Sequence, residues 1–309
     1  MDVREWDGKP ITENGWVSGL PLEVYHSAGC CDGPSVSSSN LRTAWSKSMA
    51  HMFASWCENP DAEQKEMTRA MILGQAAHHL FLGEANFSTK FIAQPAEYPD
   101  KQTGLKKPWH NGSSYCKAWN EKYSDRTIVT LRELQAIIAM SKSMALEPLV
   151  QQGLLSGLVE HSGFVKDRET GLWLKCRPDT IPTASGDFAD LKTTSDVTTP
   201  ALMKTIRTFG YPQQGAMVWE ISEALNQPFE SFVLMFIETS APWCSRSAPL
   251  SDEDLARGRM QNRAMLRQIK SCMELGRWPG PGEGDTSAMP LAKDERERID
   301  ARLKLEGAL

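Results

Sequence analysis

The sequence predicts an α/β fold, a mixed central sheet flanked by helices. Three observations carry this prediction. Helical periodicity dominates residues 40–147, and strand patterns replace it at 156–193. A helical pair then leads into the apolar run Phe232-Val233-Leu234-Met235-Phe236-Ile237-Glu238, which suits a strand buried on both faces.

Each element has its own signal. Residues 1–40 are rich in Gly, Pro and Ser, and Ser35-Val36-Ser37-Ser38-Ser39-Asn40 offers helix N-caps. Helices are expected at about 40–57 and 62–82, the second carrying Met67, Met71, Ala77 and Leu80. Residues 95–115 mix basic, aromatic and turn-forming side chains and read as a loop. Helices resume at about 115–124 and 130–147. Strands at 156–166 and 171–178 flank the turn from Asp167 to Gly171, and a third covers 186–193. Helices at about 199–208 and 211–226, strand 232–238 and helix 252–275 complete the core. The expected organisation is one domain over 1–282, with a helical part at about 40–147 and an α/β core at about 155–275. A Pro/Gly linker and charged tail follow at 283–309.

Composition narrows the field. Hydrophobic residues make up 40% of the 309, with no apolar run of membrane-spanning length, so no membrane partner is expected. The opening MDVREWDGKP has no secretory pattern. The seven cysteines are scattered apart from Cys30-Cys31 and form no CxxC, which argues against zinc ribbons, disulfide frameworks and iron–sulfur clusters. A reducing cytoplasm is the expected location. The net charge of -5 leaves a nucleic-acid partner open, because an acidic metal site needs only a local basic groove.

The chemistry concentrates between Glu160 and Lys192. Alternate strand residues share a face, so Asp190 and Lys192 project together. Asp190 suits a hard divalent cation, Mg²⁺ or Mn²⁺, and Lys192 suits an attacking water or a charged phosphorane. Arg177-Pro178-Asp179 supplies a second carboxylate one strand earlier, across a turn that lets the two acids converge. Glu160, mid-strand in LVEHSGF, is expected to face inward, with His161 on the opposite face. Upstream, Gly74-Gln75-Ala76-Ala77-His78 places a small residue one turn before a histidine, so the helix can approach the sheet. Downstream, Tyr211 and Gln214 open a helix and are candidates for contact with nucleotide or phosphate. Arg259, Arg263, Arg267 and Lys270 form a basic helical stripe, and Lys101, Lys106, Lys107 and Trp109 a basic loop; both are candidate DNA grips.

In serial order these segments resemble the RecE-type (exonuclease VIII) branch of the PD-(D/E)xK nuclease superfamily, related to the RecB nuclease domain and more distantly to lambda exonuclease. The likeness spans about 22–282. The segment YHSAGCCDGPSVSSSNLRTAWSKSMAHM resembles the branch's opening, and GQAAH its GxxxH motif. Glu160, RPD and DLK match its three acidic positions and lysine, YPQQGAMVW its glutamine helix, and LGRWPGPG its closing segment. Val218 stands where the branch often has a second tyrosine. The resemblance implies a restriction-endonuclease-like core. It makes His78, Asp179 and Asp190 metal ligands, with Glu160 completing the site, and gives Lys192 and Gln214 catalytic roles. It further implies Mg²⁺-dependent 5′-to-3′ degradation of linear duplex DNA, leaving 3′ tails for a single-strand annealing partner, by a ring-forming homo-oligomer of phage origin. A relative with endonuclease or single-strand preference, or a non-cleaving DNA-binding module, is the alternative.

Overall fold

The computed structural model describes residues 2–62, 67–82, 87–100, 102–183 and 185–306. Lys101 and the residues at 63–66 in the expected helix 62–82 lie outside them. The strands, in chain order, are β1 (Val3–Glu5), β2 (Gly15–Ser18), β3 (Ser35–Ser37), β4 (Phe91–Ala93), β5 (Glu97–Pro99), β6 (Lys106–Pro108), β7 (Thr127–Val129) and β8 (Leu158–Val159). They continue with β9 (Ser162–Lys166), β10 (Trp173–Cys176), β11 (Thr180–Ile181), β12 (Asp187–Thr194), β13 (Ser231–Glu238) and β14 (Ser245–Pro249). The helices begin with α1 (Leu22–Tyr25), α2 (Ser38–Ser46), α3 (Met49–Ala54), α4 (Arg69–Phe81), α5 (Phe87–Lys90) and α6 (Ser114–Lys122). The remainder are α7 (Leu131–Met144), α8 (Pro148–Gln151), α9 (Thr199–Phe209), α10 (Tyr211–Ala224), α11 (Asp252–Leu275) and α12 (Lys293–Leu305).

The strands form a mixed α/β architecture around two five-stranded sheets, ordered β1-β2-β9-β10-β3 and β14-β13-β12-β11-β8. In the second, β12 and β13 run parallel in long register, joined by the α9–α10 crossover, and the other neighbours are antiparallel. β13 alternates strictly: Phe232, Leu234 and Phe236 enter the core beneath α10 and α11, while Val233, Met235 and Ile237 enter the core beneath α4 and α7. β12 follows the same alternation, with Ala189 and Leu191 on the α4/α7 side and Phe188 on the other. Asp190 and Lys192 therefore face α10 from inside the protein.

Several expectations change. The Gly/Ser-rich N-terminus is not merely loop, for β1, β2 and β3 are three of the five strands of the first sheet. The expected helix 40–57 is broken at Lys47, and Ser48 caps the second piece by accepting from His51 N. The basic loop at 95–115 contains the antiparallel pair β5–β6. The expected strand 156–166 is split at Glu160, which has φ +60, so β8 joins the second sheet and β9 the first. The strand at 171–178 likewise stops at Cys176, and β11 resumes in the second sheet at Thr180. Gly74 lies beside Thr193, but an added Cβ would sit 3.7 Å from its Oγ1, so the approach does not require glycine. The close packing comes instead at Gly258, where a Cβ would stand 2.4 Å from Pro212 O and force α11 off α10.

The basic stripe of α11 is taken up by neighbouring elements of the protein itself. Arg263 donates to Asp167 Oδ1 at 2.6 Å and also pairs with Glu220 of α10. Arg267 Nε meets Glu169 Oε1 at 2.5 Å, and Lys270 donates to the Glu169 carbonyl at 3.2 Å. These groups clamp α11 to α10 and to the β9–β10 turn, which accounts for their spacing without DNA. Burial opposes ionisation of Asp167, but the Thr170 hydroxyl and the Arg263 guanidinium outweigh it and hold the carboxyl below its ordinary range. Its contribution to stability is complete above the usual carboxylate range and is lost as pH falls through the lowered value. Replacing Arg263 with Met strands two nearly buried carboxylates and should cost about 3 kcal/mol in urea unfolding at pH 7, with a smaller loss at pH 4.

Candidate active site

Two chain crossings between the sheets create the site. β8 passes into β9 at Glu160, and β10 passes into β11 through Arg177-Pro178-Asp179. Arg177 Nε donates to Glu160 Oε2 at 2.8 Å and ties the two crossings together. The same guanidinium donates to the Leu20 carbonyl at 3.0 Å, anchoring the pair to the N-terminal segment. The left-handed backbone at Glu160 is a strained conformation for a residue with a Cβ, held by this bond and by the flanking strands.

Asp179 follows the second crossing and β11 pairs with β12 at Thr180–Ala189, so Asp179 reaches the strand that carries Asp190. Its Oδ2 accepts from Leu191 N at 2.5 Å, and its Oδ1 faces His78 Nδ1 at 3.3 Å. Asp190 is 2% exposed. It accepts from Gln214 Nε2 at 2.8 Å and is ion-paired with Lys192. The Lys192 ammonium also lies 5.0 Å from the centre of the Tyr211 ring, a favourable placement over its π face. The sequence-predicted His78, Asp179, Asp190, Lys192, Tyr211 and Gln214 thus form one contact network.

Charge in this network divides unequally. Burial and then the neighbouring Asp179 carboxylate push Asp190 above its ordinary value, against the pull of Lys192. Burial acts on Asp179 as well, but His78 and Lys192 outweigh it and hold it low. Burial opposes the charged forms of His78 and Lys192, yet the adjacent carboxylates keep both raised. Environments that drive two carboxylates apart are those in which acid–base and metal chemistry are found.

A cleft of about 1120 Å³ opens above the network, lined by Glu160, Asp179, His78, Gln214, Arg42 and Arg177 among others. Asp190 and Lys192 stand behind this lining. Among the described residues no three His, Cys, Asp or Glu side chains converge as a ready ligand cage. Glu160 leans towards Arg177, and Asp190 is held by Lys192 and Gln214. The donor chemistry nevertheless fits a hard divalent cation: oxygen donors dominate, and Gln214 Oε1 is buried beside Asp190 without a hydrogen-bond partner.

Other candidates take places or partners different from those expected. Tyr211 is buried beneath Lys192 and does not line the cleft. The amide nitrogen of Gln214 is committed to Asp190, so it orients a carboxylate where phosphate contact was expected. Lys107 pairs with Asp100 at 2.5 Å, and neither it nor Lys106 lines the cleft. His161, expected on the face opposite Glu160, lines the cleft beside it, because the chain breaks at Glu160 and strand alternation does not apply there; its Nδ1 bonds the Val159 carbonyl at 2.7 Å. Sequence reasoning missed Arg42, which enters the cleft from α2 and donates to the Phe209 carbonyl at 2.8 Å. Its signal was available: an arginine one turn into a serine-capped helix.

The chain can now be set beside known proteins. A family model described as a PDDEXK-like domain of unknown function (DUF3799) matches residues 37–287 and so contains the whole network. No curated protein matches the chain. A crystal structure of a candidate exonuclease from Eubacterium rectale aligns with a TM-score of 0.57 at 14% identity, covering 88% of this chain and 96% of that one. At that identity the likeness is one of fold. Arg177→Ala should lower stability by about 1–2 kcal/mol in urea unfolding, since it unties the two crossings that position Asp179 and Glu160.

Proposed function

We propose that this chain, which belongs to the family of PDDEXK-like domains of unknown function (DUF3799), is a metal-dependent deoxyribonuclease acting on the ends of linear duplex DNA. The observation that carries the reading is the set Asp179, Asp190 and Lys192, held within one contact network at an open cleft that Asp179 lines. Asp179 and Asp190 would hold the cation, with His78 and Glu160 at its margin. A bound Mg²⁺ or Mn²⁺ would supply Lewis-acid polarisation of the scissile phosphate and acidify an attacking water. Lys192 orients that water and offsets charge developing on the phosphoryl oxygens. Gln214 keeps the Asp190 carboxylate in its productive rotamer, and Arg177 does the same for Glu160.

Exonuclease action is supported by the motif series shared with RecE-type enzymes and by the description of the Eubacterium rectale protein as a candidate exonuclease. The RecE-type resemblance supports 5′-to-3′ polarity, 3′ tails handed to an annealing protein in recombination, ring assembly and a phage origin. The nuclease unit on this reading covers 1–282, with 283–309 as linker and tail. No helix among the described residues is long and apolar enough to cross a membrane, and all seven cysteines are free thiols. A DNA substrate and free thiols suit the cytoplasm.

The test uses linear duplex DNA labelled at the 5′ or the 3′ end, and a closed circular duplex, with Mg²⁺ or with EDTA. Early release of the 5′ label from linear DNA, an intact circle and no reaction in EDTA are expected. Equal degradation of the circle contradicts the exonuclease reading. Asp190→Ala and Lys192→Ala should each lower the rate by about 10³-fold or more with the fold retained.

A further inference from the structure

A second concavity of about 1140 Å³ lies between α2, α9 and the first turns of α11. It shares Ser39 and Arg42 with the active-site cleft, so the two hollows meet across one side of α2. Its lining has a composition unlike that of a protein surface at rest. Trp45 is 51% exposed, Phe209 56% and Met203 67%, and Lys204 and Arg207 stand among them on α9. Among the described residues no ion pair occupies Lys204 or Arg207, although most other arginines of the core elements are paired. The acid in the lining, Asp254, is already bonded to Arg257 at 3.0 Å.

An aromatic path connects this groove to the reacting groups. Phe209 stacks on Tyr211 with centroids 5.8 Å apart and planes 20° from parallel, and Tyr211 carries the Lys192 ammonium on its ring. Gly210 makes the turn between α9 and α10 at φ +62, and a Cβ there would press Arg42 at 3.2 Å. The turn thus fixes Phe209 at the lip and Arg42 at the junction, where its guanidinium bonds the Phe209 carbonyl.

We propose that this groove binds single-stranded DNA and leads one strand of the substrate past Arg42 between the active-site cleft and solvent. The inference rests on the nuclease reading and adds a binding surface to it. Unpaired cations meet the phosphates, and exposed rings meet unstacked bases; a duplex keeps its base faces covered and has no use for the rings. Continuity with the cleft and the exposed rings among its cations select nucleic acid over a second copy of this chain, since two copies that each carry a net charge of -5 repel.

The experiment measures fluorescence anisotropy of labelled oligothymidylate in EDTA, so that binding is read without cleavage. Lys204→Glu combined with Arg207→Glu should weaken binding at least tenfold and reduce the salt slope by about 1.4, the value for two single-strand phosphate contacts. Trp45→Ala should weaken binding about tenfold, as expected for loss of one base stack. Hydrolysis of thymidine 5′-(4-nitrophenyl phosphate), too short to reach the groove, should be unchanged in the Lys204/Arg207 variant. Unchanged oligothymidylate affinity in that variant, or no binding by the wild type, overturns the proposal. So does a change in solution mass with strand affinity intact, which would make the groove a subunit contact. A wild type that binds the strand through these residues but never cleaves with Mg²⁺ or Mn²⁺ contradicts the nuclease reading and leaves the groove standing.

Discussion

Two carboxylates, Asp179 at the entry to β11 and Asp190 on β12, share an interior position, and their surroundings are built to hold that charge. Leu191 N and His78 attend one, and Lys192 and Gln214 the other. A buried charge without such partners would cost several kcal/mol, so each partner contributes to stability whatever its part in the chemistry. The demand reaches outward through the helices. His78 must come from α4 on one side of the sheet and Gln214 from α10 on the other. The alternating cores of β12 and β13 position those two helices.

The double crossing between sheets meets this demand. Strands that begin in one sheet and finish in the other must break, and both breaks bear side chains of the candidate site. Glu160 takes a left-handed backbone at one, and Arg177-Pro178-Asp179 forms the other. Joined by the Arg177–Glu160 pair, the breaks open the cleft at the boundary between sheets, where backbone polar groups and acids are reachable. Three acids near the β9–β10 turn and α10 serve the frame. Asp167, Glu169 and Glu220 are absorbed by Arg263 and Arg267 and leave no basic face on that side of α11.

Much of this was legible in the sequence because strong local rules agreed with the tertiary structure. The run at 232–238 is a central strand, Asp252–Leu275 is a helix with Ser251 as its cap, and the same-face rule brought Asp190 and Lys192 together. The misses share a cause, which is pairing that depends on distant segments. β1, β2 and β3 are too short to show a period; β2 and β3 are strands because β9 and β10 lie beside them, and β1 because it pairs with β2. The break at Glu160 was invisible since its flanks, LV and SGFVK, each look like strand; only membership of different sheets separates them. The basic stripe of α11 had the right spacing for phosphates and equally for the acids it meets. Arg42 was overlooked because its neighbours Phe209 and Tyr211 lie far along the chain.

A net charge of -5 is compatible with a DNA substrate once the charges are located. Acids gather at the reacting centre, where a divalent cation would offset them, and unpaired cations gather in the adjoining groove. The central claim is that Asp179 and Asp190 together hold that cation, and Mn²⁺ binding followed by electron paramagnetic resonance tests it most directly. The account predicts saturable Mn²⁺ binding to the wild type and its loss in the Asp179→Asn, Asp190→Asn double variant, with cooperative unfolding preserved. Saturable binding that survives unchanged in a folded double variant would contradict it.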